Sequence, residues 1–203
     1  MKRNKAKKEH NRKLSFWETL LLYVHDLSYL IAIMMILFLF VFRVVVVSGD
    51  SMNNTLIDGD YLLLLSNVFY SEPKSGDVVV ACKDSFENGV PIVKRVIAVE
   101  GQTVDIDFST NMVYVDGKRL DEPYIKEDIA YIYSSERLSF PLTVEEGKIF
   151  VLGDNRRVSL DSRNTRVGLI DKREVLGKAI FLFLPGAENG AIRRNFERIG
   201  VMP

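Results

Sequence analysis

Histidine and cysteine are almost missing from this sequence. Among 203 residues there are two histidines, His10 and His25, and one cysteine, Cys82. Both histidines precede a long apolar run, so everything after residue 25 lacks an imidazole. A Ser-His-Asp or Cys-His catalytic site cannot be assembled there from this chain alone. Nor can a zinc site of the usual His/Cys type. One cysteine closes no intrachain disulfide. Cys82 ends the run Val78-Val79-Val80-Ala81 and reads as a small core residue rather than a reactive thiol. Internal repeats with a period of about 20–50 residues are absent, as are Gly/Ser- or Pro-rich linkers, so the part after the apolar run reads as one domain.

Net charge is absent too, but the balance hides a polarity. Of 27 Lys/Arg and 27 Asp/Glu, seven basic residues and one acid lie in residues 1–14, giving a head of formal charge +6 and a body of −6. A nucleic-acid partner is not expected, because phosphate contacts require surplus positive charge on the body.

What is present in abundance is apolar. Residues 27–47 read LSYLIAIMMILFLFVFRVVVV, with Arg43 as the single charge. As a helix this run reaches ~30 Å, the thickness of a bilayer's hydrocarbon core. Arg43 would snorkel to the far interface, and Trp17, Tyr23 and Tyr29 suit the near one. Segment 16–27, FWETLLLYVHDL, reads as an amphipathic piece lying on the membrane surface. A core helix is seldom this long and apolar, and a cleaved signal peptide has a shorter core followed by a small-x-small site. The expected organisation is a basic cytoplasmic head with the amphipathic segment over 1–26, a single transmembrane helix over 27–47, and an extracytoplasmic domain over 48–203. The positive-inside rule sets that orientation.

The body carries short runs rich in β-branched residues at 61–65, 78–82, 92–99, 103–108, 112–115, 148–152 and 179–184. Asp58-Gly59, Ser75-Gly76, Asn88-Gly89 and Asp116-Gly117 punctuate them. Short strands with hairpin signals predict a mostly β fold. Asp171 and Glu174 have capping-box spacing and predict one small helix. Residues 122–141 fit no pattern and are read as a long loop.

Three places could carry chemistry. Ser48-Gly49-Asp50-Ser51-Met52 follows the apolar run directly; it is either a polar linker or a turn presenting a hydroxyl and a free backbone N–H together. Strand 92–99 carries one cation on each face, Lys94 and Arg95, among apolar residues. It is either an edge strand with snorkelling side chains or the seat of a lysine whose charged form is disfavoured. Free lysine titrates near ~10.4, and burial lowers that by up to ~3–5 units. Such a lysine is a competent general base for a serine nucleophile, whereas arginine does not deprotonate. The third place, GDNRRVSLDSR at 153–163, packs Asp154, Arg156, Arg157, Asp161 and Arg163 with Ser159 and Ser162. It is either a solvated salt-bridge loop or one locked by bidentate pairs that holds Ser159 for a catalytic group.

Taken together and in order, S-G-D-S-M (48–52), G-D-V-V-V (76–80), K-R-V-I-A-V-E-G-Q-T-V (94–104) and G-D-N-R-R-V-S-L-D-S-R resemble the bacterial type I signal peptidases, those of Gram-positive bacteria above all. The resemblance runs from the anchor to about residue 185. It implies a Ser–Lys dyad with Ser51 as nucleophile and Lys94 as general base. It further implies that Ser159 orients the lysine, and that Asp154, Asp161 and Arg163 brace the site. The Ser51 N–H would help bind the oxyanion. The implied fold is a β-rich catalytic domain at the outer membrane surface. The implied substrates are secretory precursors cut after small-x-small motifs such as Ala-x-Ala, with no cofactor or metal.

Two departures stand out. Many family members carry a serine two residues before the nucleophile, where this chain has Gly49. The family's S-M-x-P-T-L reads S-M-N-N-T-L, so Asn54 replaces a proline expected to stiffen the turn. Met52 is a candidate to line a specificity pocket.

Position adds a physical reason. Ser51 follows Val47 by four residues, so at ~3.3–3.6 Å per residue it lies within about 15 Å of the end of the apolar run. Such a site reaches bonds near the membrane surface. Part of YLLLLSNVFY (61–70), Phe69 and Tyr70 in particular, is expected to dip into that interface. The expected partners are signal peptides and the bilayer, and a monomer is expected. The rival readings are a peptidase with a narrower substrate such as a pilin-type precursor, a self-cleaving repressor of similar chemistry, and an inactive membrane-tethered binding protein. The anchor and the lack of a DNA-binding segment count against the repressor, and the presence of both Ser51 and Lys94 against the binder.

Overall fold

The computed structural model describes residues 15–83, 86, 89–110, 112–125, 136–187 and 194–202. The basic head (1–14), Asn88 of one expected turn and residues 126–135 of the expected loop lie outside them. The chain forms two compact units, 1–40 and 41–203.

The first unit is built on helix α1, Phe16–Val41, of 26 residues. Ser15 N–H donates to Glu18 Oε2 at 2.8 Å, half of a capping box that starts the helix. No residue of α1 is buried, and it is long and apolar enough to cross a membrane by length and composition. The expected surface piece 16–27 is therefore continuous with the apolar helix. The far boundary also moves: the helix stops at Val41, and strand β1, Phe42–Val46, takes the end of the run expected to be helical. The composition changes there from Leu, Ile, Met and Phe to four consecutive valines. Valine loses side-chain freedom in a helix and packs well on a pleated surface. β1 also has a partner, β2 (Tyr61–Ser66), which it meets antiparallel from Phe42↔Leu65 to Val46↔Tyr61. Arg43 thus lies on a strand just past the helix end, donating to Asn67 Oδ1 at 3.4 Å, and not within the helix.

The second unit is mostly β. Strands β3 (Val78–Ala81), β4 (Ile92–Val99), β9 (Lys148–Leu152), β10 (Ile170–Asp171) and β11 (Val175–Leu184) complete the larger sheet. Its order is β1-β2-β11-β3-β4-β9-β10, with the short β12 (Gly200–Val201) paired to β11. A smaller sheet has the order β7-β6-β5-β8, from β5 (Thr103–Asp107), β6 (Met112–Val115), β7 (Lys118–Arg119) and β8 (Leu142–Thr143). Asp116 (φ 52°) and Gly117 (φ 73°) turn β6 into β7, the two positive φ values that an Asp-Gly hairpin turn requires. The expected small helix is a single 3-10 turn, Lys172–Glu174, with both halves of the Asp171–Glu174 capping box formed.

The core decides where the site sits. Met52, Leu56, Leu62, Leu64, Val78, Val80 and Val93 form one buried cluster beneath the segment that carries Ser51. β4 runs between β3 and β9 and is buried on both faces from Val93 to Val99's inner neighbour Ala98. Lys94 (4% exposed) and Arg95 (2%) are therefore interior, and the edge-strand reading with snorkelling side chains does not hold.

Candidate active site

Ser51 sits in a loop pinched off the sheet. Val47 N–H donates to Asp60 O (2.8 Å) and Gly59 N–H to Val47 O (2.9 Å), closing the base of the loop. Inside it, Leu56 N–H donates to Met52 O (2.9 Å) and Thr55 N–H to the same carbonyl (3.0 Å), so the chain after Ser51 makes one tight turn. That turn folds Met52 into the core at 0% exposure, an apolar contribution of about 1.5–3 kcal/mol. Met52 has no exposed surface and anchors the turn from below, so it does not line an open specificity pocket.

The turn explains Asn54. Its φ is +86°, a left-handed conformation that asparagine tolerates and proline, locked near −65°, cannot adopt. The asparagine therefore suits the path the chain takes here, and a proline would not. Gly49 has φ +84° and donates its N–H to Asp58 Oδ1 at 2.8 Å. A serine there would be strained even though nothing lies within 4 Å of its Cβ.

Lys94 reaches this turn from the centre of β4. Its Nζ lies 2.7 Å from Ser51 Oγ, within proton-transfer distance. Of the two site residues expected to touch, this pair does. Among the described residues no acceptor takes the Ser51 N–H.

The 153–163 loop holds the other side. Asn155 N–H donates to Ser51 O (3.0 Å) and Asn155 Nδ2 to Asp50 O (3.0 Å). Asp154 takes a fork from Arg95, Nε to Oδ1 at 2.9 Å and Nη2 to Oδ2 at 2.7 Å, with both side chains almost fully buried. Thr55 Oγ1 donates to the same carboxylate at 2.5 Å, tying the nucleophile loop to β4 through Asp154. Asp161 takes a second fork from Arg163 (2.7 and 2.8 Å) and accepts from Gly153 N–H (3.1 Å). Burial alone would raise the Asp161 carboxyl; the adjoining guanidinium and the Gly153 N–H outweigh it and hold it below its usual range. Arg163 also donates to Arg156 O at 2.9 Å, cross-bracing the loop. The solvated-loop reading is thereby replaced by a locked one.

Ser159 is placed differently from expectation. Its Oγ is buried and makes no hydrogen bond to Lys94; its side chain instead faces the Asp161 carboxylate and favours that group's charged form. It packs on Gly153, where a Cβ would lie 2.2 Å from Ser159 Oγ and 2.4 Å from Ser51 O. Gly153 is thus a residue that sequence reasoning passed over. Only hydrogen at this position lets the two serine-bearing segments close on each other. Three more were missed: Thr55, Asn155 and Glu122. Glu122 pairs with Arg156 with both side chains buried, and Arg156 Nε donates to Gly153 O at 3.0 Å. The guanidinium of Arg95 stacks 4.0 Å over the Tyr124 ring, so residues 122–125 cover the braces. Only the G-D-N triplet carried a local signal for any of these.

Comparison with known proteins shows the family. The profile of the family described as signal peptidase, peptidase S26, matches residues 20–184. Signal peptidase I of Bacillus licheniformis is 38% identical over 88% of this chain and 94% of its own. Signal peptidase I S of Bacillus subtilis strain 168 is 37% identical over 72% of this chain and 79% of its own. A crystal structure of a signal peptidase I from Enterococcus faecalis V583 is 32% identical, covering 53% of this chain and 96% of that one, with a TM-score of 0.43. These are serine peptidases that process signal peptides, of the Gram-positive kind. The chain belongs to the signal peptidase family, peptidase S26, and its activity is that of a signal peptidase I acting on signal-peptide-bearing substrates. With its apolar N-terminal helix, it is a membrane-anchored enzyme.

Proposed function

We propose that Ser51 and Lys94 are the catalytic dyad of an endopeptidase that cuts secretory precursors after small-x-small sites. The observation that carries this reading is the 2.7 Å approach of Lys94 Nζ to Ser51 Oγ, with the lysine 4% exposed on an interior strand. Apolar surroundings disfavour an ammonium ion, and a neutral amine accepts a proton. In the first half-reaction Lys94 takes the Ser51 hydroxyl proton and Oγ bonds to the scissile carbonyl carbon. The Ser51 N–H donates to the resulting oxyanion. Collapse breaks the C–N bond, and the leaving amine takes the proton from Lys94. In the second half-reaction water gives a proton to Lys94 and attacks the acyl-enzyme. The signal peptide leaves as a carboxylic acid and Ser51 regains its proton. Asp154, Asp161 and Arg163 fix the loop that grips Ser51. Ser159, whose hydroxyl lies beside Gly153, is a partner for Lys94 when the lysine releases Ser51.

The bilayer enters the same proposal. Val44 and Val46 on β1, Val68 and Phe69 after β2, Phe183 on β11 and Val201 on β12 are exposed apolar residues of the catalytic unit. Phe69 is 57% exposed and suits an interface. Tyr70 does not, because it packs on the core and its hydroxyl donates to Asp77 Oδ2 at 2.5 Å. We place α1 across the membrane, the head in the cytoplasm and residues 42–203 outside, as a monomer without a nucleic-acid partner. Replacing Phe69 by Asp should slow cleavage of a precursor in proteoliposomes while sparing a soluble peptide; equal rates on both would sink the interfacial role.

The dyad is tested by cleavage of an Ala-x-Ala precursor across pH with wild type, Ser51→Ala and Lys94→Ala. Both variants should be folded and inert, and wild-type activity should rise with pH as Lys94 loses its proton, below the ~10.4 of free lysine. Near-normal rates in Lys94→Ala would remove the lysine from its role. A wild type that cuts only pilus-type precursors would narrow the substrate class, and one inert on every precursor would favour a tethered binder.

A further inference from the structure

The mechanism leaves unused an ion pair at the base of the nucleophile loop, between a buried carboxylate and a half-buried guanidinium. Asp60 is fully buried, and its carboxylate receives four donors. Ile57 N–H (2.8 Å) comes from within the loop and Gly186 N–H (2.7 Å) from beyond β11. The other two are a fork from Arg198, Nη1 to Oδ1 at 2.8 Å and Nη2 to Oδ2 at 2.7 Å. Asp60 is also the residue whose carbonyl closes the loop with Val47 N–H. Arg198 Nη2 reaches further, to Thr55 O at 3.4 Å. Thr55 in turn donates to Asp154, the partner of Arg95 next to Lys94.

Arg198 comes from a segment that lies past the family match, which ends at residue 184. That segment is tied down. β12 pairs with β11 at Phe181↔Val201 and Leu182↔Gly200, and Met202 N–H donates to Ile180 O at 3.0 Å. Met202 packs against the cluster that contains Met52. Asn195 caps the 3-10 turn Phe196–Arg198 that aims the guanidinium.

We propose that Arg198 is a positioning residue for Ser51. Through Asp60 and Thr55 it sets the attitude of the loop that presents the hydroxyl to Lys94, so the C-terminal segment completes the catalytic unit. The fork suits arginine in particular, because one planar group bridges both carboxylate oxygens and a carbonyl; a lysine supplies the charge without that geometry. This inference rests on the Ser51–Lys94 reading for its kinetic consequence, but its structural half stands apart from it.

The test uses the full chain in lipid or detergent, as wild type, Arg198→Ala and Arg198→Lys. Arg173→Ala serves as a control at a surface pair with Asp171. Cleavage kinetics are read together with hydrogen exchange at Val47 and Gly59, whose N–H groups close the loop. Arg198→Ala should lower kcat about tenfold to a hundredfold with KM within about threefold, since a small misplacement of reacting groups costs that much. The Val47 and Gly59 amides should exchange faster while those of β4 do not. Arg198→Lys should melt cooperatively and recover part of kcat. If Arg198→Ala does not fold, Arg198→Lys carries the comparison, with its incomplete kcat as the expected result. Wild-type kcat in both variants at a temperature where they are folded, or undisturbed exchange at Val47 and Gly59, overturns the proposal. A wild type inert on every precursor defeats the dyad reading instead, and the exchange data still decide whether Arg198 holds the loop.

Discussion

Two loops meet at the active site, and they are built differently. The 48–60 loop carries the nucleophile and is shaped around it by short-range devices: two glycines and an asparagine at positive φ, backbone turns, and Met52 sunk into the core, with the Asp60–Arg198 ion pair only at its base. The 153–163 loop carries no proposed nucleophile or base and is locked by charge, with Asp154 and Asp161 each taking a bidentate guanidinium. A loop that must expose a reactive hydroxyl cannot bury that hydroxyl in its own bonding. Its rigidity is supplied from outside, by Asn155 on the Ser51 carbonyl and by Asp154 on Thr55. Polar residues near an active site therefore divide by what they hold rather than by how charged they are.

At Gly153 the two loops leave no room for a side chain, and the largest effect is expected there. Gly153→Ala forces its methyl into Ser51 O and Ser159 Oγ, and activity should drop by about a hundredfold or more. The same variant assayed for Arg95–Asp154 stability by denaturant should lose less in proportion, because the brace lies to one side. Equal activity to wild type would show that the loops do not need to touch. Next comes the locked loop's charge. Asp154→Ala strands the buried Arg95 guanidinium and should cost about 3–5 kcal/mol in urea unfolding. A loss under 1 kcal/mol would mean that the pair behaves as a surface one. Third is the nucleophile loop's own geometry. Asn54→Pro, which restores the family's residue, should destabilise and slow the enzyme, while Asn54→Gly should be nearly neutral. Faster cleavage by Asn54→Pro would place residue 54 in a negative-φ conformation.

Acid should separate the loops more gently. Asp161 binds its proton less readily when folded than in the unfolded chain, where a carboxyl of this type titrates near ~3.9. Its contribution to stability is therefore complete above that unfolded value and is lost as pH falls through the lower folded one. Thermal melting between pH 5 and pH 2 should decline with a component that Asp161→Asn removes. An unchanged profile in that variant would take the carboxylate out of the acid response. Smallest of all is Arg173→Ala, whose guanidinium is exposed at a pair with Asp171 outside both loops, where neither rate nor melting temperature should change measurably.

Much of the scaffold was legible in advance because its signals are local. Runs 92–99, 112–115 and 148–152 are strands with those bounds, and Asp171 with Glu174 caps a helical turn as its spacing predicts. The boundary at Val41 was not legible from hydropathy, since the residues on both sides are equally apolar. It depends on valine's preference and on β2 waiting 20 residues later to pair. Lys94 stood out because alternation gives each strand face one cation, but alternation alone leaves open whether the strand lies at an edge or in the interior. Glu122 and Tyr124 fell in a stretch with no periodicity, and their roles appear only against Arg156 and Arg95.

The sequence by itself determined the apolar helix, the β-rich class and the lack of histidine in the body, and these follow from composition, period and spacing, which are properties of neighbours along the chain. The pair proposed to react, Ser51 and Lys94, came from ordered motifs that resemble a known family. Tertiary structure alone decided that Lys94 is interior, that Met52 is an anchor, that Gly153 must have no side chain, and that Arg198 reaches back 138 residues to Asp60. Each of these depends on which distant segments a fold brings within a few ångströms, and no local pattern encodes that distance.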